Sequence, residues 1–493
     1  MASNRRVKSV EESIRDTDEP EHRLRKNLSA LDLTVFGVGV VIGAGIFVVT
    51  GVVAQAQAGP AVAVSFLIAG AVCALAALCY AEFASTVPVA GSAYTFSYAT
   101  FGELVAWIIG WDLVLEFSIG AAAVSSSWSG YLAQLLDDVG WTPPGWLSGE
   151  GAVNVPAMVL ALAMTGVPVL GIKVSSRFNA VVVAIKVAVV LVVVAVGVFY
   201  VRADNYTPFV PPARPSESGS GLDAPLIQTL FGIVPSTFGW GGVIAGAAIV
   251  FFAFIGFDIV ATAAEETRNP ARDVPRGILG SLAICTVLYI AVSLVVVGMQ
   301  EYTELNPDAP LAGAFSAAGL PVFATIISAG ALIGLTSVVM ILMLGQSRVL
   351  FAMSRDRLLP PWLAAVHPRY GTPYRITIAT GLLVTALAGF VPLEELAELV
   401  NIGTLAAFLL VSIGVIVLRR TRPDLPRAFR VPLMPVLPLV SAAACLWLMG
   451  NLPGDTWLRF QAWMALGFIV YAVYGRRHSR LAPGADRADA AAR

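Results

Sequence analysis

The stretch Gly37-Val38-Gly39-Val40-Val41-Ile42-Gly43-Ala44-Gly45-Ile46-Phe47 decides how this chain is read. It lies inside a long apolar run, yet glycine fills four of its first nine positions. Glycine is about 1 kcal/mol worse than alanine in a helix interior. Two readings stay open on this stretch alone. One is a packing seam of small residues, common where membrane helices meet. The other is a helix that unwinds near Gly43 to Gly45. Its freed N–H groups would then face a cavity at the positive end of the outer half-helix, a ready site for a carboxylate.

A second stretch changes the balance. Phe251-Phe252-Ala253-Phe254-Ile255-Gly256-Phe257-Asp258 puts a glycine and then an acid inside another apolar run. A break near Ala253 to Gly256 would free carbonyl groups, which suit an ammonium; an ordinary kink with Asp258 snorkelling or hydrogen-bonded is the plain alternative. The two runs are the first and sixth of the chain, five apart. Interrupted helices at matching positions of two inverted repeats point to a transporter binding site. One break offers donors and the other acceptors. A zwitterion with both charges on one carbon fits the pair.

Working outward, apolar runs place helices near 33–55, 59–86, 102–134, 153–171, 179–201, 241–265, 278–300, 320–353, 375–391, 396–418, 432–451 and 457–475. Runs of about 20 apolar residues cross a bilayer core of about 30 Å as helix, and runs this continuous exclude a barrel. The composition agrees: 57% of the 493 residues are hydrophobic and only 13% charged, against roughly 25% charged in a soluble domain. Twelve spans and both termini in the cytoplasm put 27 of the 31 Lys and Arg on that side. Arg202, Arg214 and Arg459 fall on the other, and Lys186 inside a span. Such a bias sets orientation.

The organisation expected is an all-α polytopic bundle. A cytoplasmic tail (1–31) leads into a first five-helix repeat (32–201). An extracellular loop rich in Pro, Gly and Ser (202–240) precedes a second repeat (241–418). Helices 11 and 12 with their preceding cytoplasmic loop (419–475) and a cytoplasmic tail (476–493) follow, the last 15 residues Ala- and Arg-rich. No cleavable signal pattern opens the chain.

Charges inside spans are expensive and therefore functional by default. Lys186 sits about one-third of the way into helix 5. A lysine that sheds and regains its proton can carry one through a transport cycle; a fixed cation can replace a sodium ion; a long stem can also simply reach the interface. Asp112 and Glu116 share a face of helix 3, four residues apart, and Glu116 either faces the cavity or anchors helix 3. Glu82, Glu103, Glu265 and Glu266 stand near span ends and read as interfacial. Cys73, Cys79, Cys285 and Cys445 read as apolar packing. His22, His367 and His478 lie in polar segments. No metal or cofactor is expected. No phosphate-binding loop or nucleophile–base pair is present, which argues against an ATP-driven pump or a membrane enzyme.

Several segments together resemble the cationic amino acid transporter family of the amino acid–polyamine–organocation superfamily. They are Gly39 to Phe47, Phe251 to Glu266, Asn269-Pro270-Ala271-Arg272-Asp273-Val274-Pro275, Gly345 to Asp356, and Phe429-Arg430-Val431-Pro432-Leu433. The resemblance implies a LeuT-type fold of two inverted five-helix repeats plus two C-terminal helices. It implies that a substrate carboxylate meets Gly43, Ala44 and Gly45 in the unwound stretch that includes Ile42. The amine would meet carbonyls near Val41, Phe252, Ala253 and Ile255, and Phe257 would gate the site from outside. Lys186 matches a helix 5 lysine that stands in the place of sodium in proton-coupled relatives. Glu116 matches a glutamate common in the family, with Asp258 in a supporting role. Ala44 departs from relatives that carry a hydroxyl there, so one contact to the carboxylate is missing. Leu342 or Met343 would line the side-chain pocket and disfavour Arg or Lys.

The function expected is proton-coupled amino acid uptake into the cell across the plasma or inner membrane by alternating access, driven by the proton-motive force. Its partners are the amino acid, protons and the bilayer, with no nucleic acid. The rivals are an amino acid/polyamine exchanger or sodium-coupled carrier on the same fold, and a non-transporting membrane sensor. The sequence leaves open whether a small single-helix subunit associates.

Overall fold

The structure, a computed structural model, describes residues 28–86, 94, 97, 98, 101–142, 144, 153–171, 176–215, 221–232, 236–263 and 267–481. Most of both tails, with Glu265 and Glu266, lies outside these residues. Among the described residues the helices of twelve residues or more are α1 (Ala30–Val41), α2 (Val62–Thr86), α3 (Glu103–Asp138), α4 (Val155–Val169), α5 (Ser176–Gly197) and α6 (Gly239–Val250). They continue with α7 (Pro270–Met299), α8 (Pro321–Arg355), α9 (Tyr374–Phe390), α10 (Leu393–Thr421), α11 (Val436–Gly450) and α12 (Gly454–Val470). The chain is a polytopic helical membrane protein. Seven helical stretches are long and apolar enough to cross a bilayer by length and composition, and α1, α4, α9 and α11 are shorter apolar helices. The expected span of 33–55 is one of those cut short: α1 stops at Val41, and helix resumes at Gly45 as two π-helical turns flanking Thr50–Val53.

Local chemistry sets several helix starts. Ser29 and Asp32 form a capping box that opens α1. Asn154 caps α4 by accepting from the Ala157 N–H at 3.1 Å. Proline stands in the first turn of α7 and α8, where its missing N–H costs nothing. Thus α7 begins at Pro270, eight residues before the apolar run does.

The longest helices form the centre. α3 packs along α8 and α10, and α7 along α2 and α1. One end of the bundle gathers arginines. Leu28 pairs with Thr267 there, Arg268 N–H donates to the Leu28 carbonyl, and Arg480 N–H reaches the Asp356 carbonyl at 3.3 Å. At the opposite end lies the 202–240 connection, of which 202–215, 221–232 and 236–240 are described. It carries a short helix, Leu226–Phe231, and a two-residue antiparallel pairing of β1 (Arg214–Pro215) with β2 (Ser236–Thr237). Asn205 and Tyr206 tie its start to the Gly298 and Leu294 carbonyls at 2.7 Å each.

Two span-end acids are not interfacial. Glu82 is 1% exposed. It accepts from Arg419 Nε and the Val431 N–H, each at 2.7 Å, with Arg427 Nε 3.5 Å away. Glu103 is buried too, accepting from Tyr471 and Ser479 hydroxyls at 2.9 and 2.6 Å. A charge near a span end is cheap only if it reaches water. These two are covered by the 419–431 segment and by the residues after α12, so they are paired instead.

Candidate functional site

Two interruptions meet in the middle of the bundle. After α1, Ile42 turns to extended backbone (φ −71°, ψ 95°), and helix restarts beyond Gly43. After α6 come a 3₁₀ turn, Phe251–Phe254, and then extended Ile255. Gly256 follows at φ +108°, a left-handed conformation that favours glycine, and helix resumes at Ile259. The breaks touch. A side chain on Gly45 would run into the backbone of Ala253, and one on Gly256 into Val40.

Each break leaves backbone groups without helical partners. Side chains from three other elements take the carbonyls. The Lys186 ammonium, from α5 and fully buried, donates to the Gly39 carbonyl at 2.5 Å and the Ile42 carbonyl at 3.2 Å. It therefore stands at the negative end of α1. Its stem lies against Gly334 of α8. The Tyr289 hydroxyl, from α7, faces the Val41 carbonyl at 2.5 Å and the Ala253 carbonyl at 2.8 Å, bridging the two breaks. Asn401 of α10 donates to the Ala248 and Ile249 carbonyls at the end of α6. On the donor side, the N–H groups of Gly43, Ala44 and Gly45 open the second half of the first span.

Between the breaks lies a cavity of about 30 Å³, enough for little more than a water or two. Of the expected residues, Val41, Gly43, Ala44, Gly45, Phe252, Ile255 and Leu342 line it. Val40, Gly120, Val124 and Val338 complete the wall. The wall carries no charged side chain. Its polar groups are those of the backbone.

The amino acid permease family matches residues 28–473. The chain is 49% identical over 464 residues to the methylthioribose transporter of Bacillus subtilis, covering 93% of this chain and 95% of the relative. It is 46% identical over 485 residues to the branched-chain amino acid permease of the same organism, covering 97% and 98%. It is 40% identical over 429 residues to a vacuolar cationic amino acid transporter of Arabidopsis thaliana, covering 86% and 68%. The chain is an amino acid permease of the amino acid–polyamine–organocation superfamily.

A permease is a transporter and not an enzyme, and the residues of this one fall into three groups. The first is the cavity wall above. The second is the set that holds the breaks: Lys186, Tyr289 and Asn401. Tyr289 and Asn401 escape sequence reading because one polar side chain in an apolar helix looks like ordinary packing. The third is the set of expected residues placed elsewhere. Ile42 offers its carbonyl to Lys186 rather than a side chain to the cavity. Ala253 is 1% exposed and packs on Gly45. Met343 turns toward Thr165 of α4, which leaves Leu342, of the two expected residues, on the wall beside Val338 of the same helix.

Phe257 does not line the cavity of the permease. Gly256 swings the chain so that the Phe257 ring sits between Tyr80 and Phe408, with centroids 6.0 and 5.0 Å away. It belongs to the half-helix leading toward Arg268 and the arginine-rich end. Phe252, four residues before Gly256, is the aromatic that meets the cavity. Asp112, Glu116 and Asp258 are buried behind the wall, outside the cavity lining.

Proposed function

We propose that this permease takes up small neutral amino acids by alternating access, coupled to protons through Lys186. The observation that carries this reading is the meeting of both breaks at one apolar cavity, with the Lys186 ammonium on the carbonyls of the first break. The substrate carboxylate takes the N–H groups of Gly43, Ala44 and Gly45 at the positive end of a half-helix. Its amine takes carbonyls near Val41, Phe252, Ala253 and Ile255, in place of the Tyr289 bridge. The side chain lies against Val124, Val338 and Leu342. A wall without an acid offers no partner to the end of an arginine or lysine side chain, and leaving that charge unpaired in a dry site is costly.

In this mechanism protonated Lys186 holds Gly39 and Ile42 and keeps the first break closed. When the lysine gives up its proton, the carbonyls keep only a neutral, weaker donor and the half-helix is freer to move. The frame is the inverted five-plus-five bundle with helices 11 and 12 appended, both termini in the cytoplasm of the cell. The bias of Lys and Arg to one end supports that orientation.

A second reading rests on the relative named a methylthioribose transporter: a neutral thioether sugar as cargo. The same backbone donors would then meet hydroxyls and the apolar wall the methylthio group. Uptake into proteoliposomes of labelled alanine, valine, isoleucine, arginine and methylthioribose separates the two. Accumulation of the neutral amino acids, with arginine excluded, is the expected result. Accumulation of methylthioribose alone would overturn the amino acid reading.

A further inference from the structure

Three carboxyl groups that this transport cycle does not use stand together in the core of the permease. Asp112 and Glu116 come from α3, and Asp258 follows the second break by two residues. They are 2%, 1% and 1% exposed. Asp112 points at α10, where a side chain on Gly403 would begin 2.9 Å from its Oδ1. Glu116 faces Thr404, the next residue of α10, and the carboxyls of Asp258 and Asp112. Asp258 lies beside the backbone N–H groups of Gly256 and Ile259, yet neither of its oxygens completes a hydrogen bond of normal geometry.

Two hydroxyls close the cluster. Tyr80 Oη, on α2, is fully buried, has no hydrogen-bond partner among the described residues, and faces Asp258, Glu116 and Asp112. Thr404 Oγ1 is equally buried and completes no hydrogen bond of normal geometry among the described residues. Cys445 of α11 is the other titratable group facing Tyr80. Among the described residues no Lys or Arg pairs with the three acids. Lys186 is engaged on α1, and Arg419 of α10 is committed to Glu82. Three ions of one sign cannot share a dry site without a counter-charge, so the cluster needs either protons or a cation.

We propose that Asp112, Glu116 and Asp258, with the hydroxyls of Tyr80 and Thr404, form a second proton-binding site, separate from Lys186. A hydronium ion reaching the cluster gives its proton to a carboxylate oxygen, leaving water and a carboxylic acid; release is the reverse. Asp258 lies just past the Gly256 turn, so any movement of the second break shifts it against α3 and changes how many protons the cluster holds. Protons fit better than a metal ion, since no three such groups among the described residues are arranged to ligate one.

Infrared difference spectroscopy of the full chain in liposomes, between neutral and alkaline pH, tests this. The expected result is a protonated-carboxyl C=O band that disappears at high pH. It should persist in Lys186→Ala and be lost in the triple variant Asp112→Asn/Glu116→Gln/Asp258→Asn. If that variant does not fold, Glu116→Asp keeps the acid and should shift the band. Absence of the band in the wild type, its survival in the triple variant, or no shift in Glu116→Asp would overturn the proposal. So would removal of the band by sodium at constant pH, which would make this a cation site. The readout needs no transport, so it stands or falls apart from the amino acid reading.

Discussion

The two breaks solve one problem in different ways. The first is made by an ordinary residue, Ile42, in extended backbone, and its carbonyls are held by a cation from α5 and a phenol from α7. The second needs a 3₁₀ turn and a glycine at φ +108°, and the acid after it has no cationic partner among the described residues. The first break is therefore held by a group whose hold weakens when it loses a proton. The second is held by backbone shape and by the neutral side chains of Tyr289 and Asn401. What differs is where the device is adjustable: at Lys186 in one case, and at the hinge of Gly256 in the other.

The largest effect should come from the hinge. In Gly256→Ala the new Cβ would meet Val40, and the left-handed conformation alone costs about 1–3 kcal/mol. Little folded protein should be recovered, as read by size-exclusion chromatography in detergent. A normal elution profile would mean the second break is not shape-determined. Gly45→Val comes next. Crowding of the carboxylate alone would lower affinity, but here the added side chain runs into Ala253 and drives the two breaks apart. A fall in melting temperature should therefore accompany the loss of binding. Loss of binding at unchanged melting temperature would restore the simpler steric reading.

Tyr289→Phe removes the bridge and leaves two buried carbonyls without that donor, at about 1–3 kcal/mol. Exchange should slow about tenfold or more while the protein stays folded, as counterflow assays will show. Wild-type exchange would reduce Tyr289 to packing. The smallest effect belongs to the wall. A Cβ on Gly120 meets only Leu342, at 3.6 Å. Gly120→Ala should be well folded and should favour alanine over isoleucine by about tenfold, since one methylene in an apolar pocket is worth about 1–3 kcal/mol. An unchanged preference in competition uptake would put the side-chain pocket elsewhere.

How much of this was legible beforehand follows from what each signal consists of. Runs of apolar residues mark helices because the bilayer demands length, so the bundle showed through. The glycines and Asp258 marked the breaks because they are wrong for a lipid-facing helix. Lys186 stood out for the same reason. Tyr289, Asn401 and Val338 did not, because each suits its helix and acts only through neighbours distant in sequence. Glu82 and Glu103 misled: sequence shows that an acid is near a span end, not that Arg419 or Ser479 folds over it. Phe252, and not Phe257, meets the cavity because a positive φ at Gly256 redirects the chain after it, and the two look alike on paper.

The most direct test of the central claim is accumulation of a labelled neutral amino acid in proteoliposomes under an inward proton gradient, wild type against Lys186→Ala, with gradient-free counterflow measured in parallel. The expected result is wild-type accumulation that a protonophore collapses and sodium does not alter. In Lys186→Ala, accumulation should fall to background while counterflow persists. Proton-driven accumulation at the wild-type rate in Lys186→Ala would contradict it.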